Sequence, residues 1–254
     1  MYRAEQARLA AFALSALLLL CSGTARAQDL IADLSSHRVD ITTGFTGADL
    51  LLFGSVDDTG DIVVTVTGPK EQVTVRRKNR VAGIWMNTRS VTFGGVPNFY
   101  AVAANRPLEE IAAPEVLARQ EIGADHLRLR AQSDRRELSR DEEAEFREAL
   151  IRRKRAQGLY AESPGDVTVI ASKLFRTQVH FPATLATGVY TAVVYLIRDG
   201  RVVHAQTTPL VVEKVGVGAE VYAFAHNRSA TYGIAAIIIA VVAGWLAAAV
   251  FRKV

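Results

Sequence analysis

The chain has 254 residues, and its 30 Lys and Arg against 26 Asp and Glu leave a formal charge of +4. The excess sits at the two ends: Arg3, Arg8 and Arg26 against Glu5 give +2, Arg252 and Lys253 give +2, and the other 25 basic and 25 acidic residues cancel. The basicity therefore does not argue for a nucleic-acid partner. The single cysteine, Cys21, lies in a segment predicted to be removed, which excludes thiol catalysis, cysteine-held zinc and disulfides from the remaining body.

Residues 1–27 read as a secretory signal peptide. Arg3 and Arg8 give the positive start, Leu9 to Leu20 the apolar run, and Ala25-Arg26-Ala27 the small-x-small site, so cleavage is expected after Ala27. Lipidation at Cys21 is disfavoured by the bulky Leu20 before it.

Residues 28–104 carry short strands and turns. In Asp61 to Thr67, Ile62, Val64 and Val66 alternate with Val63, Thr65 and Thr67, and Gly68-Pro69-Lys70 ends the run. Further strands are predicted at Arg38–Thr42, Asp49–Gly54, Gln72–Arg77, Val81–Asn87, Ser90–Phe93 and Phe99–Ala103, with a turn at Asn79. Residues 105–160 form a charged helical insertion in which Ser139 to Glu142 make a capping box and Phe146, Ala149 and Leu150 a narrow apolar stripe.

Strand pattern resumes over residues 161–215. Phe175, Thr177, Val179 and Phe181 share one face, a strand runs from Gly188 to Ile197, Arg198 to Arg201 turn, and Val202 to Glu213 return. Tyr190, two residues after Gly188, resembles a tyrosine corner, whose phenol bonds back to upstream backbone. The predicted fold is mainly β with a helical insertion: immunoglobulin-like β-sandwich(es) plus one C-terminal transmembrane helix. Whether the strands before Asn105 and after Gly165 share one sandwich or form two is left open by the sequence.

A juxtamembrane segment at 216–230 has Val217, Val221 and Phe224 at helical spacing. Residues 231–251 are uncharged, and their 21 residues at about 1.5 Å each reach about 31 Å, enough to span a bilayer. Ala236, Ala240, Gly244 and Ala248 share one side of this helix, a small-xxx-small seam for helix packing. With the signal peptide and the tail at 252–254, the expected topology is a body in the periplasm, one pass of the bacterial inner membrane and a cytoplasmic C-terminus.

The densest polar chemistry is Arg76, Arg77, Lys78 and Arg80, followed by Trp85 and Asn87, a set able to hold an anion, a lipid head group or an acidic loop. The plainer alternative is a hairpin tip with solvated charges and a Trp packed in the core. His37, His126, His180, His204 and His226 show no zinc-protease or nucleophile-elbow spacing. His180 and His204 could approach across neighbouring strands. No catalytic residue, metal or cofactor is predicted.

Phe45-Thr46-Gly47-Ala48-Asp49-Leu50, Phe53-Gly54, Gly68-Pro69, the run Val75 to Asn87, and Val96-Pro97-Asn98-Phe99-Tyr100 resemble a family of alphaproteobacterial transmembrane proteins. The resemblance implies an inner-membrane protein and carries over no site residue. The function expected is a non-enzymatic periplasmic accessory or assembly factor for an inner-membrane partner such as a transporter. The alternative is a small-ligand, anion or metal sensor or delivery protein, and a hydrolase ranks last.

Overall fold

Strand Asp61–Thr67 is buried at its five central positions, which an antiparallel strand reaches only when both of its faces are covered. That strand is the fourth of thirteen in a computed structural model that describes residues 30–57, 59–132 and 138–251. The predicted signal peptide with Cys21, and the tail at 252–254, lie outside the described residues.

The strands are β1 (Leu30–Leu34), β2 (Arg38–Ile41), β3 (Gly47–Val56), β4 (Asp61–Thr67), β5 (Lys70–Val81), β6 (Ile84–Pro97), β7 (Tyr100–Ala104), β8 (Arg130–Gln132), β9 (Gly165–Asp166), β10 (Thr168–Ile170), β11 (Leu174–Pro182), β12 (Gly188–Arg198) and β13 (Arg201–Lys214). The helices are α1 (Leu108–Ile111), α2 (Pro114–Arg119), α3 (Arg140–Ala156), α4 (Val217–Asn227) and α5 (Ser229–Phe251). A first sheet has the order β1-β3-β11-β10, a second β2-β13-β12-β4-β7-β9, and a third β5-β6-β8. Strands from before Asn105 and from Gly165 onward are hydrogen-bonded to one another within each of the first two: β3 pairs with β11, and β4 with β12.

The first and second sheets pack face to face. Leu50, Leu52, Phe175 and Phe181 from one side meet Val64, Val66, Val194, Leu196 and Leu210 from the other. Full burial of each such side chain contributes about 1.5–3 kcal/mol. At one end of this core Phe181 lies 5.0 Å from Phe99 and 5.9 Å, edge-on, from Tyr190. The Tyr190 hydroxyl donates to the Ala186 carbonyl at 2.7 Å, so the corner read from the sequence forms its backbone bond.

The other face of the second sheet makes a second core. Val63, Tyr100, Val102, Tyr195 and Ile197 are covered by Leu108, Ile111, Leu117 and Ile122, by Val91, Phe93 and Val96 of β6, and by Phe146, Leu150 and Ile151 of α3. Helix α3 begins at the predicted capping box, where Ser139 Oγ accepts from the Glu142 amide at 3.2 Å. Its stripe is wider than predicted, since Ile151 and the stem of Lys154 are buried too.

Candidate functional site

Strands β5 and β6 form a hairpin of 12 and 14 residues. Two residues connect them, Ala82 and Gly83, at φ +49° and +84°, the left-handed pair a type I′ turn requires. The turn predicted at Asn79 is thereby corrected, and the strands expected at Gln72–Arg77, Val81–Asn87 and Ser90–Phe93 are parts of one long ladder. Asn79 is the usual turn residue, but here it lies opposite Met86 inside the ladder and donates Nδ2 to Thr88 Oγ1 at 3.0 Å. That bond sits beside a register shift between Arg77 and Lys78, the local bend of a β-bulge.

Register sorts the predicted binding residues. Lys78 stands opposite Asn87 and Arg80 opposite Trp85, so with Arg76 these side chains share one face, and all five are exposed. Arg80 Nε donates to the Gly83 carbonyl at 3.0 Å, while no acidic partner of Arg76, Lys78 or Arg80 occurs among the described residues. Arg77 is separated from the set. It faces the other way, opposite Arg89, pairs with Glu145 of α3 and lies 4.8 Å over the Phe146 ring. Arg89 reaches Glu142 at 3.5 Å. Two arginines directly opposed on a sheet repel, and Glu142 and Glu145 in the N-terminal half of α3 neutralise them.

Trp85 is not in the core. It is 68% exposed, as is Ile84, with Met86 at 52% and Val81 at 47%. The tip of the hairpin therefore presents apolar and aromatic side chains to the outside, next to three cations. Its root is fixed: Lys154, nearly buried, places Nζ 2.6 Å from Glu71 Oε1, and the Tyr160 hydroxyl donates to the Pro97 carbonyl at 2.8 Å.

That root also lies beside the origin of the C-terminal helices. A Cβ on Gly188 would come within 2.5 Å of the Pro69 ring, and Gly188 pairs with Val212, two residues before β13 ends at Lys214. From there Gly216 (φ +108°) leads into α4 and, after Arg228, into α5. Residues Ser229–Ala249 are long and apolar enough to cross a membrane, and nothing in the body covers them. Ala236, Ala240, Gly244 and Ala248 lie exposed along this helix.

A second surface was missed by the sequence reading. On the outer face of the first sheet Ile31 stands opposite Ser55, Ser55 opposite Leu174, and Leu174 opposite Ile170; Phe53 stands opposite Arg176 and Leu51 opposite Gln178. Ile31, Leu51, Phe53, Ile170 and Leu174 are between 40% and 53% exposed. The available signal was the run Leu50-Leu51-Leu52-Phe53, which breaks the in-out alternation of a strand with one buried face.

His180 and His204 do not meet across neighbouring strands, because β11 and β13 belong to different sheets. His180 pairs instead with Asp49, Nδ1 to Oδ1 at 2.7 Å. Where the sandwich opens beside β7, a cleft of about 400 Å³ is floored by Val64, Val66 and Phe99 and edged by Arg155, Glu162 and His180. No group of three or more His, Cys, Asp or Glu able to hold a metal occurs among the described residues.

No curated protein and no solved structure matches the chain. Residues 29–253 match a family described as "Putative transmembrane protein (Alph_Pro_TM)". With the β-rich body, the apolar C-terminal helix and that match over nearly its whole length, the chain belongs to this transmembrane protein family.

Proposed function

We propose that the protein is a non-enzymatic accessory or assembly factor of the bacterial inner membrane, its body in the periplasm and its C-terminus in the cytoplasm, which holds a membrane-embedded partner protein such as a transporter. The observation that carries this reading is the apolar row on the first sheet: Ile31, Leu51, Phe53, Ile170 and Leu174 form one exposed strip. Contiguous exposed apolar surface of this kind is the usual mark of an interaction face. The α5 helix tethers the body to the membrane, where such a partner resides. The predicted leader and the Arg252-Lys253 tail support the orientation.

Mild detergent extraction at native expression tests it. The chain is expected to co-purify with an inner-membrane protein, and a Leu51→Ser/Phe53→Ser/Leu174→Ser variant of unchanged thermal stability is expected to lose that partner. Recovery of the unaltered chain as a lone monomer refutes the reading. The cleft edged by Arg155 and His180 favours a second reading, a small-anion sensor or delivery protein. Calorimetry with a panel of small carboxylates and phosphates separates the two.

A further inference from the structure

We infer that the β5–β6 hairpin is a second membrane contact, its tip seated in an anionic lipid surface beside the anchor helix. The inference is independent of the partner reading, which rests on a different sheet.

Three observations converge. The first is chemical. Ile84, Trp85, Met86 and Val81 crown the hairpin at 47–68% exposure; Trp85 shares its face with Arg76, Lys78 and Arg80, which have no acidic partner among the described residues, while Val81, Ile84 and Met86 cover the opposite face of the same tip. Aliphatic side chains that enter the acyl boundary, an indole that prefers the head-group level, and cations that reach lipid phosphates are the composition of an interfacial membrane element. A water-facing hairpin tip has no use for four apolar residues.

The second is the sorting of charge. Arg77 and Arg89, on the opposite face, are neutralised by Glu145 and Glu142, so the fold supplies acids where cations meet the body. It leaves the Arg76–Lys78–Arg80 face for an external anion. Each such cation near an anionic bilayer contributes about fivefold to the docked population.

The third is reach. The hairpin root touches Gly188 through Pro69, next to the end of β13 from which the anchor departs. Between body and span stand Val215, Gly216, the 11 residues of α4, about 16 Å of helix, and Arg228. The 12 residues of β5 extend about 40 Å; Val73, Val75 and Arg77 lie against the body, and the tip beyond them stands farther from the root than the spacer is long.

The chain contains two tryptophans, Trp85 and Trp245, and Trp245→Phe leaves Trp85 as the sole indole reporter. The full chain carrying this change is reconstituted in nanodiscs of phosphatidylglycerol or of phosphatidylcholine, each with acyl-chain-brominated lipid. Docking predicts that in phosphatidylglycerol discs Trp85 is quenched by bromine and protected from acrylamide. The docked fraction should fall about fivefold for each of Lys78→Gln and Arg80→Gln, and further with salt. Equal acrylamide access in both discs with no bromine quenching overturns the inference, and this reading needs no change in the hairpin itself. Protection seen only in native membrane vesicles and not in anionic discs also overturns it, assigning the tip to a protein.

Discussion

Replacing Glu71 and replacing Lys154 should have unequal consequences although the two make one ion pair. Lys154 is 7% exposed at its side chain and Glu71 45%, with Nζ and Oε1 2.6 Å apart. Removing the carboxylate in Glu71→Ala strands a buried ammonium whose remaining acceptor is the Asn98 carbonyl at 3.5 Å. Breaking a fully buried pair costs about 3–5 kcal/mol; the half-exposed site of Glu71 admits water, which lowers the expectation to about 2–3 kcal/mol, a Tm drop of about 4–12 °C. Lys154→Met removes the buried charge, fills the same space and lets Glu71 hydrate, so it should change stability by less than about 1 kcal/mol. The double variant should recover about 2 kcal/mol relative to Glu71→Ala, a coupling read directly from a double-mutant cycle. Thermal unfolding of the full chain in detergent, followed by near-ultraviolet circular dichroism, gives all four values. A Lys154→Met protein less stable than Glu71→Ala would falsify the assignment of the buried charge as the costly partner.

Further expectations concern the sandwich and its ends. Gly54→Ala puts a Cβ 2.2 Å from the Ile31 carbonyl oxygen and 2.5 Å from the Phe175 ring; because the oxygen belongs to the paired strand, the loss should exceed about 3 kcal/mol, and a Tm near that of the unaltered protein would contradict the β1–β3 register. Tyr190→Phe deletes the bond to Ala186 and should cost about 1–2 kcal/mol in chemical denaturation. Burial pushes the Tyr190 phenol up to about 12 from 10.0. A raised value means its contribution is full below pH 10 and is lost as pH climbs towards 12, so the share of phenolate absorbance that Tyr190→Phe removes should appear together with unfolding; its full appearance at pH 10 in a folded protein contradicts this. The Arg106 guanidinium, with Nε 2.8 Å from Asp61 Oδ1, holds that carboxyl below its ordinary 3.8. Its stabilisation is complete above pH 3.8 and lost as pH falls further, so Arg106→Ala should move the acid unfolding midpoint upward.

The membrane helix, the Ser139 cap, the Gly68-Pro69 break and the Tyr190 corner were legible in the residues themselves. Each is a local matter: a lipid core demands an unbroken apolar run, a cap is closed by a residue three positions away, and the corner phenol bonds four residues back. The hairpin turn defeated the same logic, because Asn79 has the better turn chemistry and its side chain is instead occupied across the bulge by Thr88, while Ala82 accepts a left-handed backbone that the flanking ladder imposes.

Trp85, equally at home in a core, could be placed outside only by the register that sets it opposite Arg80 beyond the reach of α3. Likewise β4 read as a two-faced strand, yet nothing near it in the chain announced that Val63 would face a second core. The apolar row of the first sheet joins Leu51 and Phe53 to Ile170 and Leu174 from a distant part of the chain. Strand pairing and the choice of buried face are settled by non-local contacts whose energies exceed local preference. The amino-acid sequence alone therefore determined where the chain meets the membrane, and tertiary pairing decided which surfaces it presents there.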